Sequence, residues 1–181
     1  MNYSGYGGSD VHPDGKNNGK DAYYLYFWVP AVIDEVGVCM YSPSGGANPG
    51  GGDFKHSLYD QKVASDPASF FDTYLFLERM SIVDPAKIQQ GGFPVGLLDS
   101  NDDSSEMPAN PSGAHYNSLL RVKTESTSPT KALVRGVYRI TFTSYRGAIR
   151  GSYVATVGTN IPGVKMAASL AELHKLVNEQ K

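Results

Sequence analysis

The sequence predicts a mainly β fold, a β-sandwich with short peripheral helices and one C-terminal amphipathic helix. Three observations predict it. Twelve Tyr and seven Phe stand among 20 Gly and 11 Pro, a composition suited to pleated strands joined by turns. Leu133 to Tyr145 alternates with a period of two: Val134, Tyr138, Ile140 and Phe142 lie on one face, Arg135, Arg139, Thr141 and Thr143 on the other. The connections are long and rich in Gly and Pro, and the longest helical pattern is confined to the C-terminus. A length of 181 residues suits one domain, and residues 1–181 show no repeat and no interdomain linker.

The elements follow in chain order. Residues 2–21 are polar and rich in Gly, Asn and Asp, and are expected to be a loosely held leading segment. Lys20 to Ile33 reads as an aromatic strand buried on both faces, with Pro30 at an edge or bulge. Val36, Val38 and Met40 alternate as the next strand. Ser42 to Asp53, with Gly45-Gly46 and Gly50-Gly51-Gly52, is a flexible loop without the Gly-Lys-Ser/Thr ending of a phosphate loop. A short helix is expected at Ser57 to Ser65. Phe70 to Met80 is a strand with Phe71, Thr73, Leu75 and Leu77 on one face, and Asp84 to Gln90 a helical turn. Leu98 to Ala114 is a long polar loop, and Leu119 to Lys123 a strand. Leu133 to Tyr145 and Ile149 to Gly158 are expected to pair antiparallel through the turn at Arg146-Gly147. In the tail, Ala167 to Lys181, Ser169 and Glu172 have capping-box spacing, and Leu170, Leu173 and Val177 form one apolar stripe.

Charge and motif content exclude several functions. A net charge of -2 gives no drive toward nucleic acid or anionic membrane. One cysteine, Cys39, rules out an intrachain disulfide framework and a thiolate zinc site, and its apolar strand suggests a buried, inert thiol. No apolar stretch is long enough to span a bilayer. Asn2 to Gly8 has neither a basic nor an apolar leader character, so an exported parent would carry its signal outside this chain. His12, His56, His115 and His174 are scattered without ligand spacing, and neither a Gly-x-Ser-x-Gly elbow nor a His-Glu-x-x-His motif occurs. Glu78 with Arg79, and Asp34 with Glu35, read as ordinary surface charges. No enzyme is expected.

Two acidic features remain. Asp99-Ser100-Asn101-Asp102-Asp103-Ser104-Ser105-Glu106 packs like charges that repel without a cation or full solvation. Calcium takes six to eight oxygens in flexible geometry from such loops, although the spacing is not that of an EF-hand. A solvated loop is the alternative. Asp72, inside an apolar strand, needs a partner if buried: a solvent-facing edge, a salt bridge, or a site completed elsewhere.

Several stretches resemble the family of the major outer-membrane lipoprotein of pathogenic leptospires. They are Ala22-Tyr23-Tyr24-Leu25-Tyr26-Phe27-Trp28-Val29-Pro30-Ala31-Val32-Ile33, Phe71-Asp72-Thr73-Tyr74 with Glu78-Arg79-Met80-Ser81, and Tyr116-Asn117-Ser118-Leu119. A further stretch runs from Leu133 through Arg139-Ile140 to Gly151-Ser152-Tyr153-Val154-Ala155. The order is kept across most of the chain. The resemblance implies a jelly-roll β-sandwich, export to the cell surface and outer membrane, and an N-terminal lipid that would be the only membrane attachment. It implies calcium as the bound metal and adhesion to extracellular matrix proteins and plasminogen. The family's calcium ligands fall on Asp72, Thr73, Asp102, Asp103 and Tyr116 of this sequence. Two departures bear on transfer: Ser100 and Asn101 interrupt the acidic run, and the family's lysine-rich tail is reduced to Lys175 and Lys181. The expected function is therefore a calcium-binding domain of a surface lipoprotein acting in adhesion. The rivals are an envelope protein whose ion only stabilises the fold and a metal-dependent hydrolase.

Overall fold

Alternating apolar residues need two facing surfaces, and the chain supplies them as two sheets. The computed structural model describes residues 1–44, 54–125 and 127–179; the glycine-rich part of the predicted 42–53 loop lies outside the described residues. Among the described residues there are eleven strands: β1 (Asn2–Gly7), β2 (Gly15–Asn17), β3 (Lys20–Val29), β4 (Glu35–Tyr41), β5 (Phe54–Lys55), β6 (Thr73–Met80), β7 (Pro94–Asn101), β8 (Ser118–Lys123), β9 (Gly136–Ser144), β10 (Gly151–Thr159) and β11 (Lys165–Ala167). Helices α1 (Tyr59–Ser65) and α2 (Leu170–Asn178) and a 3-10 turn at Pro85–Gln90 complete the described elements. One sheet has the order β5-β1-β10-β4-β8, the other β11-β3-β9-β6-β7 with β2 added to β3.

The core lies between these sheets, as a jelly-roll-like sandwich requires. Phe142 of β9 packs against Tyr3 of β1 and Tyr153 of β10, with ring centroids 6.0 and 5.3 Å apart. Leu25, Val38, Met40, Leu75, Leu77, Tyr138 and Ile140 are buried with them. Burying each such side chain contributes roughly 1.5–3 kcal/mol. A second, smaller core lies outside the β3 sheet. Trp28, on the opposite face of β3 from Phe27, joins Met80, Ile88, Val137 and Leu173 of α2, so β3 is buried on both sides as its sequence predicts. Ser169 caps α2 by accepting from the Glu172 amide at 3.2 Å, and Leu170 and Val177 pack at the margin of this core. The helix begins three residues later than expected, because Lys165–Ala167 pairs with β3 as β11.

Four further expectations are corrected. Residues 2–21 are no loose leader. Asn2–Gly7 pairs along its whole length with β10, and Tyr3, Ser4 and Tyr6 are buried. Gly5 lets the chain pass the Tyr153 ring, since a Cβ there would lie 2.2 Å from Cζ. Alternation is weak in this segment because each face mixes one tyrosine with small or polar residues, and residues 3–7 are all buried. The expected pairing of 133–145 with 149–158 does not occur. β9 pairs with β3 and β6, whereas β10 pairs with β1 and β4. Both strands alternate because each lines one side of the same core, and the link between them is a corner that crosses from sheet to sheet. Val134 precedes β9 and is half-buried, while Tyr138, Ile140 and Phe142 are fully buried. Leu98 to Ala114 is not all loop, since residues up to Asn101 form the edge strand β7, paired with β6.

Candidate metal centre

β6 and β9 begin and end at one rim of the sandwich, and the acidic loop after β7 reaches the same rim. Asp72 immediately precedes β6, and its carbonyl accepts from the Tyr145 amide at 2.9 Å. Thr73 opens β6 opposite Ser144. Its amide and its hydroxyl both donate to the Tyr116 carbonyl, each at 3.0 Å, and its Oγ1 lies 2.6 Å from Ser118 Oγ. Ser118 Oγ in turn donates to the Asp102 carbonyl at 3.2 Å. The loop is fastened further by asparagines. Asn101 accepts from the Leu119 amide at 2.9 Å and donates to the Asp103 carbonyl at 3.0 Å. Asn117 accepts from the Ser42 amide and donates to the Pro108 carbonyl.

Asp72 is the most unusual group of this rim. It is 7% exposed, and both its carboxylate oxygens are buried without a hydrogen-bond partner. The Arg146 Nε stands 3.8 Å from Oδ2, an ion pair too long for a directed hydrogen bond. Burial pushes the Asp72 carboxyl up to about 6; the Asp103 and Asp102 charges add to this, and Arg146 and Lys20 oppose it. Asp103 is also raised, by desolvation first and then by Asp102. Three carboxyls of like sign therefore influence one another here, and the buried one carries the largest penalty for ionising.

The expected ligand set is only partly assembled. Thr73 and Tyr116 are in direct contact beside Asp72, and Asp102 and Asp103 lie on the adjoining loop. Among the described residues, no three Asp, Glu, His or Cys side chains are grouped as a metal-holding cluster. The Tyr116 carbonyl already accepts two hydrogen bonds from Thr73, so one must yield before it could face an ion. The buried carboxylate of Asp72 fits a hard cation, because neither oxygen is hydrogen-bonded and its counter-ion Arg146 stands 3.8 Å away on an exposed side chain. Asp99 belongs elsewhere: it sits exposed on β7 opposite Leu77, and accepts from its neighbour Ser100.

Sequence reasoning missed Arg146, Ser118, Asn101 and Asn117. Asn117 and Ser118 lie in the Tyr116–Leu119 stretch and Asn101 in the acidic run, but only the folded register gives them their contacts at the rim. It also misread Glu78, which is no surface charge. Its Oε2 accepts from Arg139 Nε at 2.9 Å and from Thr141 Oγ1 at 2.8 Å, with both ion-pair side chains 16% exposed. Cys39 is half-buried rather than buried.

Comparison with known proteins decides the family. The Lipl32 family model, described as a surface lipoprotein of the Spirochaetales order, matches residues 1–166. The chain belongs to this family. The match spans all eleven described strands to within one residue, including Asp72 and the rim around it, and ends before α2. No curated protein is significantly similar to the chain.

Proposed function

We propose that this chain is the calcium-binding domain of a surface lipoprotein and acts by binding extracellular ligands rather than by catalysis. The observation that carries the reading is Asp72, a buried carboxylate with neither oxygen hydrogen-bonded. Asp72, Asp102 and Asp103 would supply charge, and Thr73 and the Tyr116 carbonyl neutral oxygens. The bound ion would supply the positive charge that these carboxylates lack. Magnesium suits the set poorly, since it demands near-ideal octahedral geometry and gives up water reluctantly. The parent protein would be held at the outer membrane by an N-terminal lipid; among the described residues no helix is long and apolar enough to cross a membrane. Adhesion to matrix proteins or plasminogen is supported by exposed apolar residues on and beside the edge strand β7, namely Val83, Phe93, Val95 and Leu97.

Calorimetric calcium titration of EDTA-treated protein tests the metal site. Saturable binding with a dissociation constant between roughly 10⁻⁶ and 10⁻³ M is expected, lost in Asp72→Asn and Asp103→Asn and weak with magnesium. No heat with the wild-type protein would refute the site. Calcium-dependent melting without capture of any matrix protein would favour a purely structural ion. Metal-dependent turnover of an ester or phosphoester panel, abolished by Asp72→Asn, would favour a hydrolase.

A further inference from the structure

The link from β9 to β10, residues 145–150, borders a cavity of about 390 Å³ whose walls include Phe70, Asp72, Tyr116, Arg146 and Arg150. We propose that this corner is an oxyanion subsite, in which Arg146 and Arg150 hold the carboxylate, sulfate or phosphate-ester group of a ligand once the charge of Asp72 is neutralised. The proposal rests on the calcium reading only for what neutralises Asp72; the subsite itself rests on the cavity.

Arg146 is flanked by two aromatic rings as well as by its counter-ion. Its guanidinium lies 5.7 Å from the Tyr116 ring centroid and 5.9 Å from that of Tyr145, and Nη1 donates to the Tyr116 hydroxyl at 3.4 Å. The side chain is 68% exposed. Arg150 is exposed, and among the described residues it makes no ion pair. Two guanidinium groups thus border a cavity in which Asp72 is the one acidic wall residue among the described residues. Guanidinium forks match planar and tetrahedral oxyanions, and the volume leaves room for the body of a ligand against Phe70 and Tyr116.

The corner is fixed in place. The Lys20 ammonium donates to the Ser144 carbonyl at 2.9 Å and also to that of Tyr145. Ser144 Oγ donates to the Arg146 carbonyl at 2.6 Å. Gly147 and Gly151 take φ of +70° and +97°. A Cβ on Gly151 would lie 2.1 Å from the Ser69 carbonyl oxygen, so β10 starts pressed against that residue. An ionised Asp72 repels an incoming anion and competes for Arg146. With Asp72 neutral, both arginines are left to the anion.

The test is an NMR titration of the ¹⁵N-labelled chain with sodium sulfate and sodium acetate at constant ionic strength, following the Arg146 and Arg150 Nε–H signals and the amides of 147–150. In EDTA, Asp72→Asn is expected to bind either anion about fivefold more tightly than wild type, the effect of removing one negative charge beside a solvent-open guanidinium. Arg150→Gln in the Asp72→Asn background is expected to abolish the shifts. Calcium should raise wild type to the Asp72→Asn level. Preference for sulfate would assign an ester ligand, and preference for acetate an acidic side chain; either supports the subsite. Equal affinity in wild type and Asp72→Asn, or shifts that survive Arg150→Gln, would overturn it. If Asp72→Asn tightens binding while calcium leaves wild type unchanged, the subsite stands and the calcium reading falls.

Discussion

Replacing Asp72 by Asn should stabilise the metal-free protein at neutral pH. The carboxyl is 7% exposed and unbonded, and its pKa is pushed from 3.8 up to about 6. That difference costs the ionised form about 3 kcal/mol at pH 7, at roughly 1.4 kcal/mol per pH unit. Because the folded value lies above the unfolded one, the folded state holds the proton more tightly. The associated stability is fully present below pH 3.8, falls as pH rises toward about 6, and is absent above it. Asn keeps the shape and removes the charge, so its stability should lack this component. Urea unfolding in EDTA from pH 4 to 7.5 measures it: the variant's advantage should grow from near zero to as much as about 3 kcal/mol. With saturating calcium the order should reverse, since the wild type gains linkage stabilisation and the variant does not. Identical pH profiles for the two proteins in EDTA would refute the account of Asp72 as a buried, under-compensated charge.

Other perturbations probe the frame around the rim. Leu173→Ala, at a fully buried position of α2, should cost about 2–4 kcal/mol in chemical denaturation; an unchanged midpoint would mean that the helix does not anchor the second core. Gly151→Ala should lower the melting temperature markedly and disturb the β9–β10 corner, because its Cβ meets the Ser69 backbone and φ is +97°. Glu78→Ala strands the half-buried Arg139 charge and the Thr141 hydroxyl and should cost about 2–4 kcal/mol, with Arg139→Ala coupled to it in a double-mutant cycle. Deleting residues 1–8 should abolish cooperative unfolding, since it removes a strand paired with β10 and two tyrosines of the core.

Much of the fold is legible in local sequence pattern. Periodicity located β4, β6, the centre of β9 and the α2 stripe, because an amphipathic pattern reports which side chains are buried in each element. The double-faced burial of β3 followed from its unbroken aromatic run, and Ser169 with Glu172 marked the start of α2. The Asn18-Gly19 pair, both with positive φ, was a readable hairpin signal between β2 and β3 that pattern reading passed over. Asp72 announced itself as a carboxylate in an apolar run.

Tertiary structure alone decided which strands are neighbours. Alternation in β9 and β10 is equally compatible with hydrogen-bonded partners in one sheet and with opposed walls of one core. Only the corner at 145–150 selects the second. Residues 2–7 show the converse: a strand of Gly, Ser, Asn and Tyr has little pattern of its own and is made by the edge that β10 offers it. The rim depends on the same choice. Arg146 meets Asp72 because the chain leaves one sheet there for the other, and Ser118 reaches Asp102 because β8 returns beside the acidic loop. These contacts join residues far apart in sequence, and no local periodicity encodes them.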